Sequence, residues 1–241
     1  MRISRALALA GIDSRRKCEV HVRNGAVTVN GEVVRDLGRQ VSLEEDMISF
    51  RGRLLLFEKH VYYLFFKPEG YMTTTRDPHA QKTVYELLPK NLIRGSRQPR
   101  SGRSRVFPAG RLDKDSSGLL LFTNDGDTAN KLTHPRYRIP KWYEVRLDRP
   151  FEPVHQTQLL KGIRLSDGFA KAEALNGLSR RVLRIMIMEG RKREIRRMFE
   201  TIGYEVVKLC RVSQGPLSLG NLLPGQGRYL SKQEILQLKA L

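Results

Sequence analysis

The chain is poor in the residues that build stapled or metal-bound folds. Its two cysteines, Cys18 and Cys210, have no Cys-x-x-Cys neighbour in 241 residues. A pair so far apart excludes a disulfide framework and cannot complete a four-ligand zinc site. The five histidines (His21, His60, His79, His134 and His155) show no metal-ligand spacing, so neither a metal nor a cofactor is expected. Apolar runs of roughly 18–20 residues, the length of a membrane span, are missing as well. Arg2, Arg5, Arg15 and Arg16 break up the N-terminal apolar stretch that a secretion signal would need. Acidic residues are scarce too: 25 Asp and Glu stand against 44 Lys and Arg, a formal charge of +19. That excess points to a polyanion, nucleic acid before an anionic membrane. A cytoplasmic, monomeric, RNA- or DNA-bound protein is the expectation.

With 40% hydrophobic residues the chain has enough material for a core, in one large domain or a small one plus a medium one. The pattern favours the second, with a boundary between residues 1–59 and 60–241. Ile3, Leu7, Leu9 and Ala10 outline a first helix stopped by Gly11. Asp13 or Ser14 caps a second that runs to Asn24-Gly25. Val27-Thr28-Val29, Asn30-Gly31 and Val33-Val34 spell a hairpin around the strongest two-residue turn signal, and Asp46–Phe50 reads as a further strand. The basic residues Arg5, Arg15, Arg16, Lys17 and Arg23 concentrate on the two helices, as a solvated face or a nucleic-acid surface.

Beyond Val61 the grammar changes. Strands are expected at Val61–Phe66, Leu119–Thr123, Lys141–Leu147, Ala170–Leu175, Val182–Met188 and Glu205–Cys210, with the fifth covered on both faces. Helices are expected at Thr83–Leu88, Thr128–Thr133, Pro153–Leu160, Lys192–Ile202 and Lys232–Leu238. Strands are too many and too irregularly separated for a doubly wound pattern, so the fold class is α+β with a mixed, largely antiparallel sheet. Arg94–Arg105 interrupts this with five arginines and no large apolar residue. It reads either as a loop at a cleft rim that orders on phosphates or as a solvated insertion.

The run Gly110-Arg111-Leu112-Asp113-Lys114-Asp115-Ser116-Ser117-Gly118, followed by Leu119-Leu120-Leu121-Phe122-Thr123-Asn124-Asp125-Gly126-Asp127, is the most informative. A sharp turn just before a core strand would hold the Asp113 carboxylate rigidly, as covalent chemistry demands. By itself such an Asp more often caps a turn. The whole string, however, resembles the catalytic-aspartate motif of the RsuA-like family of ribosomal RNA pseudouridine synthases. Lys67-Pro68-Glu69-Gly70-Tyr71, with Thr73-Thr74-Thr75-Arg76-Asp77-Pro78, resembles the first strand and turn of that catalytic domain. Lys141-Trp142-Tyr143-Glu144-Val145 resembles its tyrosine motif, Glu189–Met198 its basic-residue motif, and Leu217–Leu236 its closing strand and helix. The N-terminal order of helix, Ser-Arg-Arg-Lys helix and Gly-x-Val-x-Val-Asn-Gly hairpin resembles the S4 RNA-binding domain.

The resemblance implies a small S4-like domain ahead of a catalytic domain built on a bent mixed sheet with a central cleft. It implies isomerisation of a ribosomal RNA uridine, with the motif spacing closer to large-subunit enzymes and no cofactor. A non-catalytic ribosome-assembly factor on the same fold is the alternative. Asp113 would be the nucleophile, or the base of an elimination that forms a glycal. Arg196 would be its permanent counter-cation, and Tyr143 would stack the detached uracil and assist proton removal. Leu119 or Ile195 would floor the base pocket. Arg111 would enter the space vacated by the flipped base or brace the backbone. Ser116 stands where the family often has threonine. Glu194 stands where it often has glutamine, to tune the Asp113–Arg196 pair or to pair with Arg191 or Arg197.

Overall fold

The computed structural model describes residues 1–43, 45–55, 60–74, 82–93 and 106–241. Thr75–Pro78 and the arginine-rich Arg94–Arg105 lie outside the described residues. By contacts the chain divides into Met1–Val61 with Pro89–Val106, and Tyr62–Leu88 with Phe107–Leu241.

In the first unit α1 (Ile3–Leu9) and α2 (Arg15–Arg23) precede a small antiparallel sheet. Its strands are β1 (Val27–Val29), β2 (Glu32–Val34), β3 (Ile48–Phe50) and β4 (Arg53–Leu54), in the order β2-β1-β3-β4. Asn30 and Gly31 both take positive φ, 53° and 89°, as a tight type I′ hairpin requires. They fix the register Val29↔Glu32 and Val27↔Val34. Ile3, Leu7, Cys18, Val22, Val27 and Ile48 form the core. Burial of Cys18 and Val22, one helical turn apart, turns Arg15, Arg16, Lys17 and Arg23 of α2 outward.

The second unit carries β5 (Tyr62–Lys67), β6 (Phe107–Pro108), β7 (Ser117–Thr123), α3 (Gly126–Thr133), β8 (Lys141–Leu147) and α4 (Val154–Lys161). There follow the hairpin β9 (Ile163–Leu165) and β10 (Gly168–Ala170), then β11 (Ala174–Ser179), β12 (Val182–Ile187) and α5 (Glu194–Thr201). β13 (Val206–Gln214), β14 (Leu217–Ser218), β15 (Gly227–Tyr229) and α6 (Lys232–Lys239) end it. The main sheet runs β11-β12-β8-β13-β7-β5-β15, with β14 on β13 and β6 on β7. Its pairings are antiparallel except β13 on β7, where Cys210 meets Ser117 and Arg211 meets Gly118. The mixed, mostly antiparallel sheet with flanking helices is the α+β architecture expected. One cluster packs Tyr143, Val145 and Ile185 against Ile195, Met198 and Phe199 of α5. Another packs Leu64, Leu119 and Leu121 against Leu132 and Leu238. Among the described residues no helix is long and apolar enough to cross a membrane.

Several elements differ from expectation. Ala170–Leu175 is not one strand: Ala172 N–H leaves the ladder for Leu159 O, and pairing resumes with Glu173 N–H on Met186 O. Thr83–Leu88 shrinks to a 3₁₀ turn, Val84–Leu87, with Pro89 following. β12 is buried on one face, through Leu183, Ile185 and Ile187, and only partly covered on the other. β13 continues four residues past Cys210, because its inward polar residues Arg211 and Gln214 are hydrogen-bonded inside.

At the parallel junction Gly118 has φ +114°, and a Cβ there would lie 2.3 Å from the carbonyl oxygen and 2.4 Å from the nitrogen of Arg211. Only glycine lets the two backbones approach so closely. Gly118→Ala should therefore destabilise the protein by at least about 2 kcal/mol, read as a lower urea midpoint. An unchanged midpoint would mean that the junction relaxes freely.

Candidate active site

The turn that carries Asp113 is held from beneath by a buried ammonium. Lys67 ends β5 with no exposure to solvent, and its Nζ donates to the carbonyls of Ser116 (2.6 Å), Asp113 (3.0 Å) and Pro68 (3.1 Å). Thr73 Oγ1 donates to Leu112 O at 2.9 Å and accepts from Leu112 N–H at 3.3 Å. Gly70 N–H donates to Lys114 O and Ser116 N–H to Asp113 O. The backbone from Leu112 to Ser116 is thus fixed on three sides, while the Asp113 side chain stays half-buried. Its carboxylate makes no hydrogen bond or ion pair with another described side chain, and it faces a cleft of about 470 Å³. That volume lies within the usual range for small-ligand sites, roughly 300–1,000 Å³.

Tyr143 and Ile195 line the same cleft, both nearly buried, with Arg111 exposed at its edge. Arg111 makes no ion pair among the described residues. Leu119 does not line the cleft. It follows Gly118 directly and turns into the core beside Tyr62, Leu64 and Leu121, so of the two proposed floor residues only Ile195 is placed to serve.

Arg196 departs from its expected partner. Its Nη2 donates to Asp115 O (2.7 Å), its Nη1 to Val206 O (2.5 Å), and its Nε lies 3.3 Å from Asp115 Oδ2. Sitting in the first turn of α5, it meets the far side of the Asp113 turn and the start of β13 instead of the cleft. Arg193, in a left-handed conformation just before α5, joins it at Asp115 Oδ2, 2.7 Å away. Burial pushes the Asp115 carboxyl up, but the two arginines outweigh it and hold it below the ordinary carboxylate range. Glu194 pairs with Arg191, the second of its expected roles, and burial raises its carboxyl. Arg191 also meets Asp167 and Glu189, and Arg197 grips Asp167 at 2.8 and 2.9 Å. Of Arg191, Lys192, Arg193 and Arg197, Lys192 alone is exposed and unengaged among the described residues.

Four contributors went unrecognised in the sequence: Lys67, Lys141, Arg211 and Gln214. Lys141 opens β8 and lines the cleft, 8% exposed, with Nζ donating to Ile139 O and Met188 O at 3.1 Å each. Burial, then the charge of Arg211, lowers it to about 8 against the pull of Glu194 and Glu189. Burial likewise lowers Lys67 to about 8, opposed by Asp115, Glu69 and Asp113. Arg211 and Gln214 are buried, line the cleft, and stand opposite Tyr143 and Lys141 in the β13–β8 register. A period of two brings Arg211 inward with Leu209, but Gln214 reaches the same side only through the register shift between Arg211 and Ser213, which the sequence pattern does not announce.

Residues 61–201 match the family described as RNA pseudouridylate synthase, and residues 1–48 match the S4 domain. The ribosomal large subunit pseudouridine synthase B of Bacillus subtilis (strain 168) is 39% identical, over 100% of this chain and 96% of its own. An uncharacterised RNA pseudouridine synthase of Aquifex aeolicus (strain VF5) is 38% identical, over 99% and 93%. A solved structure, described as the crystal structure of pseudouridylate synthase, superposes with a TM-score of 0.68 at 30% identity, covering 99% of each chain.

Two outcomes follow from the Lys67 cradle. Lys67→Met should release the Asp113 turn and lower kcat about 10²-fold while RNA affinity is kept, as single-turnover and filter-binding assays would show. A variant of wild-type rate would dismiss the cradle. The second outcome concerns pH. Folded Lys67 titrates at about 8 and the ordinary value is 10.5, so between these values the unfolded chain binds more protons and stability rises with pH. The stability of wild type relative to Lys67→Met should therefore increase from about pH 8 to 9.5, measured by guanidinium unfolding. A flat difference would contradict the shift.

Proposed function

The chain belongs to the RNA pseudouridylate synthase family, and from that premise we propose that it isomerises a uridine of large-subunit ribosomal RNA with Asp113 as the reacting carboxylate. The observation that carries the reading is an aspartate on a backbone fixed by Lys67 and Thr73, its carboxylate unpaired and turned to a cleft shared with Tyr143. The ribosomal substrate rests on the relatives named for the large subunit.

The reaction breaks the N1–C1′ bond, turns the detached uracil, and joins C5 to C1′. Asp113 acts at the sugar, by attack on C1′ or by taking the proton whose loss forms a glycal. Tyr143, on rigid β8, stacks the base and assists removal of the C5 proton once the new bond has formed. Ile195 supplies apolar floor, and Arg111 fills the gap left in the RNA stack. Arg196 is a positioning residue: it clamps Asp115 and Val206, and through Asp115 the outer side of the Asp113 turn. The unit with the S4 match grips RNA through Arg5, Arg15, Arg16, Lys17 and Arg23.

Mapping pseudouridine in ribosomal RNA from a strain lacking the gene should show the loss of at least one large-subunit site. An unchanged map would leave an RNA-binding assembly factor. Asp113→Asn should abolish turnover with RNA binding retained, because it removes the charge at nearly constant shape. Product formed by that variant would exclude Asp113 as the reacting group. Replacing Arg15, Arg16 and Lys17 by alanine should flatten the dependence of log affinity on log salt, by about 0.7 for each single-strand phosphate that the variant no longer neutralises. An unaltered slope would remove the second helix from the RNA interface.

A further inference from the structure

Among the described residues, three buried side-chain atoms of cleft-lining residues have no hydrogen-bond partner: Ser116 Oγ and, on β13, one atom each of Arg211 and Gln214. Arg211, 3% exposed, donates its Nε to Leu119 O at 2.8 Å, while its buried Nη2 has no partner. Gln214, 1% exposed, donates its Nε2 to Leu132 O at 3.0 Å, while its buried Oε1 has none. A carbonyl can only accept, so Leu132 fixes which end of the amide it takes and leaves the oxygen without a partner among the described residues. Buried orphans of this kind are uncommon and call for a reason. Here one is a donor and one an acceptor. Both belong to β13, and both line the cleft that Asp113 and Tyr143 share.

We propose that Arg211 and Gln214 recognise the polar edge of the detached uracil. Gln214 Oε1 accepts from N3–H, and Arg211 Nη2 donates to the neighbouring carbonyl oxygen. The assignment rests on the reading of this cleft as the site of uridine isomerisation. Uracil presents carbonyl, N–H and carbonyl in sequence, and that edge is symmetric about the line through N3 and C6. Half a turn about the same line carries C5 to the position of N1 and exchanges O2 with O4. The N3–H bond lies on the axis of the turn, so Gln214 holds the base before and after it. Arg211 meets O2 in one orientation and O4 in the other. The pair thus restrains a base that is no longer attached to its ribose without opposing its rotation. Cytosine is refused at the same place. Its N3 lone pair would oppose Gln214 Oε1, and in one of the two orientations its amino group would meet the Arg211 donor.

The test pairs changes in the enzyme with changes in single substrate atoms. An RNA fragment containing the mapped target would carry uridine, 3-methyluridine, 2-thiouridine or 4-thiouridine there. Wild type should lose about 10²-fold or more in kcat/KM on 3-methyluridine. Gln214→Ala should be slower on uridine yet lose less than about threefold further on the methylated base. Arg211→Met should likewise be indifferent to sulfur at positions 2 and 4, where wild type is slowed. Wild type tolerating 3-methyluridine, or losses that simply multiply in both pairs, would overturn the proposal. Should Gln214→Ala fail to fold by circular dichroism, Gln214→Met keeps the volume, and the Arg211 pair decides independently. Asp113→Asn run alongside separates the two readings. If it is dead while the losses multiply, only the edge recognition fails; if it is active, the site itself is wrong.

Discussion

The buried ammonium of Lys67 is the constraint on which the catalytic unit depends. A cation with no access to water must be met by oxygen, and here the oxygens are the carbonyls of Pro68, Asp113 and Ser116. Two of those carbonyls, of Asp113 and Ser116, belong to the connection from β6 to β7. Lys67 holds the turn's backbone, and Leu112 and Ser116 bury their side chains while that of Asp113 stays half-buried at the cleft. The charge that supports the carboxylate therefore comes from below, while cations already in ion pairs, Arg193 and Arg196, hold the Asp115 flank.

This division of labour keeps the cleft side of Asp113 free for a substrate. Direct pairing with an arginine would occupy the carboxylate, as it does at Asp115. Polar residues facing the cleft, Lys141, Arg211 and Gln214, are each tied to backbone carbonyls elsewhere. Their positions are set by the protein's own backbone.

Much of this architecture was legible in the sequence because period and turn chemistry agreed with one another. Asn30-Gly31 fixed a hairpin, the buried run of β7 announced a central strand, and the string around Asp113 pointed to a family. What escaped notice was polar and interior. Arg211 and Gln214 broke the apolar pattern of β13, so the strand was expected to stop at Cys210. Lys67 was read as part of a motif and not as a buried charge, since nothing local in a sequence tells which carbonyls a lysine will find. Arg196 was assigned by motif position, and the helix geometry of α5 gave it to Asp115. Leu119 was placed one strand face away from its true neighbours, a consequence of the turn at Gly118.

The single parallel pairing of the sheet carries a further consequence. The strands of each half are joined chiefly to one another, β5 with β7 and β15, and β8 with β11, β12 and β13 through ladders that share edges. Asp113 is attached to the first half; Tyr143, Arg211 and Gln214 belong to the second. The halves meet where Arg211 Nε finds Leu119 O, across 92 positions of chain. The ladder of β15 on β5 closes over a longer stretch still, 162 positions from Phe65 to Gly227, so the first half does not form from neighbouring sequence alone. The cleft that Asp113 and Tyr143 line therefore exists only once strands from both ends of the unit have paired.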